Sequence, residues 1–180
     1  MDKKYFMFLS FLIVITILPG SLLSQSIAWD TTFTNNEFGE RIKDLVLTSN
    51  KGIIGVGWSS PFIGPEPSML KFDSLGNFKW FKRLRFDSLE NGNFNFIRDV
   101  PKENDFFYVG GSSYELGVWN NDFIAKIDSA GDSLWVKRYH YATFYGTTKD
   151  AIVLKDKSIV TIGDIQTASN FDLIARRVDS

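Results

Sequence analysis

Cysteine is absent from all 180 residues, and histidine occurs once, at His140. No disulfide can brace the fold, so its stability must come from packing alone. The same absence removes lipid attachment through cysteine, any Cys–His pair and any His-based metal cluster. An excess of one charge is missing too: 20 Lys and Arg against 21 Asp and Glu leave a formal charge of −1, which gives no basic field for nucleic acid. Alanine is sparse, and beyond Gln25 no segment carries a helical apolar stripe longer than two turns. Only one long apolar run exists, the thirteen residues from Phe6 to Leu18.

That run lies in a segment, Met1 to Ser24, with a basic start at Lys3 and Lys4, a Pro19-Gly20 break and small residues at its end. The pattern is that of a secretory signal peptide over residues 1–24. A bilayer span requires about 20 apolar residues, so an anchor is disfavoured and no membrane span is expected once the segment is cleaved. The mature chain then starts near Gln25 and, without Asp2, Lys3 and Lys4, carries 18 − 20 = −2. Its expected location is outside the cell or on the cell surface.

What the chain does have is aromatic residues, 16% of the total with seventeen Phe, and a phrase that returns. "KFDSLGNFKWFKRL" from Lys71 aligns without a gap to "KIDSAGDSLWVKRY" from Lys126, 55 residues on, and the chain stops within a third copy, Arg177-Val178-Asp179-Ser180. Other markers keep a period near 53: Gly57, Gly110 and Gly163 at intervals of 53 and 53, Asp44, Asp99 and Asp150 at 55 and 51, Trp29, Trp80 and Trp135 at 51 and 55. A fixed period of this length signals a repeat architecture.

Each period reads as four strand-like phrases beginning with the Trp phrase, and Asp-Ser-x-Gly supplies a hairpin between the last strand and the next Trp phrase. Aromatic and β-branched residues favour such pleated, half-buried surfaces. The expected fold is therefore all-β: a partial β-propeller over residues 25–180 with about three four-stranded antiparallel blades of about 53 residues. A blade exposes two apolar faces and needs a neighbour on each, so Trp29, Trp80 and Trp135 are expected to wedge between blades.

On these phrases, "TSNKGIIGVGWSS", "SMLKFDSLGNFKWFKRL" and "DFIAKIDSAGDSLWVKRY", the chain resembles the tandem repeats of secreted Bacteroidota proteins. Their usual phrase is a Gly-Gly-Tyr-Ile-Val-x-Gly strand followed by a Lys-x-Asp-x-x-Gly-x-x-x-Trp hairpin. The resemblance implies propeller blades in large exported proteins, commonly ending in a type IX sorting domain. The Asp-x-x-Gly-x-x-x-Trp portion also resembles quinoprotein-like (PQQ-type) propeller repeats. The doubled glycine is replaced by Lys51-Gly52 and Lys157-Ser158, and no sorting domain is present up to Ser180.

Chemistry is written faintly. His140 has no second His or Cys, and Asp128 and Asp132 in "DSAGDS" lack the alternating ligands and terminal Glu of a calcium loop. Recurrence of Asp44, Asp99 and Asp150 argues for a structural role, since catalysis breaks symmetry. Segments that differ between repeats, Pro61 to Met69 and Tyr114 to Asp122, sit after the Gly-ending strand, where rim loops meet ligands. Phe62, Glu66, Tyr114, Trp119 and Asn120 are the candidate ligand contacts. The expected function is non-enzymatic binding or scaffolding, with a protein or glycan ligand and no cofactor, metal or catalytic residue assigned. The alternatives are a propeller hydrolase or lyase acting on polysaccharide, and a quinoprotein-type dehydrogenase. Because 156 residues after Ser24 make just under three periods, the chain is also expected to be part of a longer repeat protein or a truncated product, completed by further blades or by self-association.

Overall fold

The computed structural model describes residues 39–60, 64–84, 91–114, 121–140, 145–166 and 169–179; the signal segment and Trp29 lie outside them. The described residues form eleven strands and no helix. β1 (Glu40–Leu47), β2 (Ile53–Ser59), β3 (Glu66–Phe72) and β4 (Phe78–Arg83) make one antiparallel sheet in chain order. β5 (Asn91–Asp99), β6 (Phe106–Tyr114), β7 (Asn121–Asp128) and β8 (Ser133–Tyr139) make a second, and β9 (Tyr145–Val153), β10 (Ile159–Gln166) and β11 (Phe171–Val178) a third. These are three blade-like meanders, of four, four and three strands among the described residues.

The repeated hairpin forms twice with the same bonds. Gly76 and Gly131 take φ of 80° and 84°, which suits glycine. Asp73 Oδ1 accepts from the amides of Leu75 and Asn77, and Asp128 Oδ1 from those of Ala130 and Asp132, all at 2.9 Å. Before β2 and β10, Lys51 and Lys157 adopt positive φ, 62° and 69°.

The sheets stack face to face. Ile54, Val56 and Met69 of the first meet Phe94, Ile97, Phe107, Val109, Phe123, Ala125 and Ile127 of the second, with Trp80 packed against them. On its opposite face the second sheet presents Phe96, Tyr108 and Ile124 to Ala151, Ile159 and Val178 of the third, with Trp135 at that seam. The middle sheet is thus apolar on both faces, which is why Phe123, Ile124 and Ala125 follow one another in β7 without a polar residue between them. Trp80 reaches the following repeat: a Cβ added at Gly131 would lie 3.0 Å from its ring. Both tryptophans are half-buried wedges between consecutive sheets, as the spacing predicts.

Register corrects two of the spacings. Each first strand carries a bulge, at Lys43, Asn95 and Lys149, and the glycine facing it is Gly57, Gly111 or Gly163. A Cβ at any of the three would collide with the carbonyl oxygen of Arg41, Asn93 or Thr147. The equivalent of Gly57 in the second sheet is therefore Gly111, not Gly110. Likewise, the residue following each bulge is Asp44, Phe96 or Asp150; Asp99 ends β5 and belongs to a different row. An extra bulged residue shifts every alternation after it, so spacing in the sequence alone misassigns these partners.

Candidate functional site

Two polar assemblies stand out, one where the first strands adjoin and one at the end of the stack away from the Gly76 and Gly131 hairpins. In the first, β5 lies between β1 and β9. The Arg98 guanidinium pairs with Asp44 through Nη1 and with Asp150 through Nη2, and its Nε donates to the Ala151 carbonyl at 2.9 Å. Asp44 Oδ2 also accepts from the Ile97 amide at 3.0 Å. Beside this clamp Lys43 donates to Asn95 Oδ1 at 2.7 Å, and Asn95 Nδ2 donates to the Thr148 carbonyl at 2.7 Å. Partial burial and the nearby Lys149 and Arg41 cations push the Lys43 ammonium below its ordinary value. Asp44 and Asp150 converge on Arg98, whose guanidinium lies between the two carboxylates. Their chemistry is that of a clamp across three sheets.

The second assembly is a layer of buried side chains at the other end of the hairpins from Gly76 and Gly131. Ser59, Glu66, Asn91, Ser113, Asn121 and Asp122 all lie there, none more than 7% exposed. Sheet register explains the gathering: Ser59 faces Glu66, Ser113 faces Asn121, and Asn91 faces Tyr114. The first and second sheets join there through the Gly92 amide, which donates to the Pro65 carbonyl at 2.6 Å.

Of the predicted contacts, Glu66 opens β3, buried, with a carboxylate oxygen 3.4 Å from Arg83 Nε, which also donates to Ser59 Oγ at 3.1 Å. Tyr114 closes β6 at the same end. The structure brings these two strand ends together across Asn91 and Gly92. Phe62, Trp119 and Asn120 lie outside the described residues. Sequence reasoning missed Ser113 and Asn121. They occupy the places that Ser59 and Glu66 hold in the first sheet, but Ser113 Oγ and Asn121 Nδ2 have no hydrogen-bond partner among the described residues. The signal that could have found them is the exchange of a carboxylate for an amide, Glu66 in the first repeat and Asn121 in the second, opposite a serine in both.

Next to them Asp122, fully buried, accepts from Arg176 Nη1 at 2.6 Å and from Thr148 Oγ1 at 3.0 Å. The Arg176 guanidinium lies over the Tyr139 ring, 4.2 Å from its centroid. Burial raises the Tyr139 hydroxyl above its ordinary value; Arg176 opposes that and Asp122 adds to it. An ion pair with a stacked cation makes a rigid wall for this layer.

Elsewhere the side chains singled out by sequence are accounted for. Asp132 pairs with Lys82 of the first sheet at 2.6 Å, and His140 follows β8, exposed. Among the described residues no three His, Cys, Asp or Glu side chains gather as metal ligands. No protein-family profile matches the chain, and no curated protein matches it.

Proposed function

We propose that this chain is a partial β-propeller, exported by its N-terminal signal and used for binding rather than catalysis, with a neutral polar ligand, a glycan or peptide, held at the end of the stack away from the Gly76 and Gly131 hairpins. The observation that carries the reading is the pair Ser113 Oγ and Asn121 Nδ2. Buried polar atoms are as a rule hydrogen-bonded, and those that are not point to a missing partner. A hydroxyl and an amide offer a donor and acceptor set without net charge, matched to sugar hydroxyls or peptide groups. Tyr114, Trp119 and Asn120 are contiguous with them in sequence, and an aromatic ring beside neutral hydrogen-bonding groups is the usual composition of a sugar-binding surface. Repetition supports the division of labour. Elements kept in every sheet build the stack, whereas this position departs from the first sheet's Glu66–Arg83 pair.

The resemblance to secreted Bacteroidota repeat proteins supports the export and surface location. A hydrolase or lyase reading lacks support, because Arg98 occupies the one convergence of carboxylates described above.

The test is titration of the exported protein with cello-, xylo-, manno- and chito-oligosaccharides and with unstructured peptides, by calorimetry. One class is expected to bind, and Asn121→Ala and Trp119→Ala are each expected to weaken it about tenfold or more, on the scale of a lost hydrogen bond or stacked ring. Binding that both variants leave intact would contradict the site, and turnover of any of the sugars would favour the enzyme reading.

A further inference from the structure

The outer faces of the terminal sheets repeat, row for row, faces that are buried inside the stack. On the first sheet, cross-strand register aligns Leu47, Ile53, Phe72 and Phe78 in one row and Leu45, Gly55, Leu70 and Phe81 in the next. Leu45 is 56% exposed and Leu47 63%. The same rows in the second sheet contain Phe107 with Ile127, and Ile97 with Val109 and Ala125, all covered by the first sheet.

At the far end, the third sheet shows Ile152 with Val160, and Ile162 with Ala175. Ile162, 56% exposed, corresponds in register to Val56 of the first sheet, which is 0% exposed under the second. One end thus carries the kind of face that always receives a preceding sheet, and the other the kind that always covers a following one. Each is hollowed, by about 310 Å³ beside Ile42, Leu70 and Phe81 and by about 380 Å³ beside Ile162, Leu173 and Ala175.

A second feature belongs to the same end. β11 pairs with β10 alone among the described residues, whereas β3 and β7 each have a Trp-bearing strand, β4 or β8, on their other side. Trp80 precedes the start of β5 by 91 − 80 = 11 residues, Trp135 precedes β9 by 145 − 135 = 10, and Trp29 precedes β1 by 40 − 29 = 11.

We propose that the first-sheet face of one copy of this chain docks on the third-sheet face of another, head to tail, and that residues 26–33 of the docked copy complete the third sheet along β11. Trp80 stands opposite Lys71 and Trp135 opposite Lys126, so the register places Trp29 of the docked copy opposite Arg177. Apolar faces and an open strand edge are together covered by one partner, which removes both hazards at once. The contact is heterologous: two different surfaces meet, so it leaves one free face of each kind and can continue.

Sedimentation of the exported protein with Leu45→Asp and Ile162→Asp variants tests this, both positions being exposed, so that unchanged far-ultraviolet circular dichroism verifies the fold. The unsubstituted chain should grow in size with concentration. Each variant alone should stay monomeric, and an equimolar mixture should form a heterodimer and stop there, because each supplies the face that the other lacks. Trp29→Ala should weaken association about tenfold or more. Self-association of either variant alone, a mixture that remains monomeric, or a Trp29→Ala chain that associates like the parent would overturn the proposal.

Discussion

At the scale of single residues, three glycines and one glutamate decide most. Gly57, Gly111 and Gly163 lie against the carbonyls beside each first-strand bulge, with no room for a methyl group. Gly111→Ala must displace backbone, and the expected loss is about 3 kcal/mol or more by urea unfolding, at the upper end of overpacking costs. A loss below about 1 kcal/mol would mean that the bulge register is wrong. Glu103, in the turn after β5, holds Lys126 of its own sheet at 2.6 Å and Lys157 of the third sheet at 2.7 Å. Its carboxyl is held below its ordinary value of 4.5, first by the hydrogen bond from Lys126 and then by that from Lys157. A carboxylate depressed on folding adds stability that is present above its unfolded value and lost as pH falls through its folded one. Glu103→Gln should therefore lower stability near neutral pH and flatten the fall below about pH 4.5, read from melting temperatures across pH. Parallel curves for the two proteins would contradict the role.

Among elements, the Trp strands and the hairpins before them join one repeat to the next. Trp80 packs against the core shared by the first two sheets and against Gly131 of the following hairpin, while Lys71 donates to the Ser129 carbonyl at 3.0 Å. Trp135 packs on Tyr108, with ring centroids 5.7 Å apart, at the seam with the third sheet. Either Trp→Ala change should cost about 3 kcal/mol in denaturant unfolding. A loss under about 0.5 kcal/mol at both would put the rings on the surface.

These elements were the legible part of the sequence, because an Asp-x-x-Gly turn and a wedge ring carry their physics in a few adjacent residues. The bulges were not legible. Nothing local distinguishes Lys43, Asn95 and Lys149 from paired strand residues, and so Asp99 and Gly110 were matched to the wrong partners. The polar layer was legible only by its loops. Ser113 and Asn121 look like ordinary strand ends until the register sets them opposite one another.

At the scale of the whole molecule, the second sheet is the only one covered on both faces among the described residues, with the first and third each covered on one. Arg98, reaching Asp44 and Asp150 from β5, ties all three sheets through the middle one. Local opening free energy should follow that order, since protection from amide exchange tracks buried apolar contact and shielded backbone bonds. Residue-resolved hydrogen exchange on dilute protein, at a concentration where sedimentation shows monomer, tests this most directly. The amides of β6 and β7 should exchange slowest, at rates set by global unfolding, and those of β1 and β11 fastest among the strands. Equal protection in β1 and β6, or a β11 that outlasts β7, would contradict it.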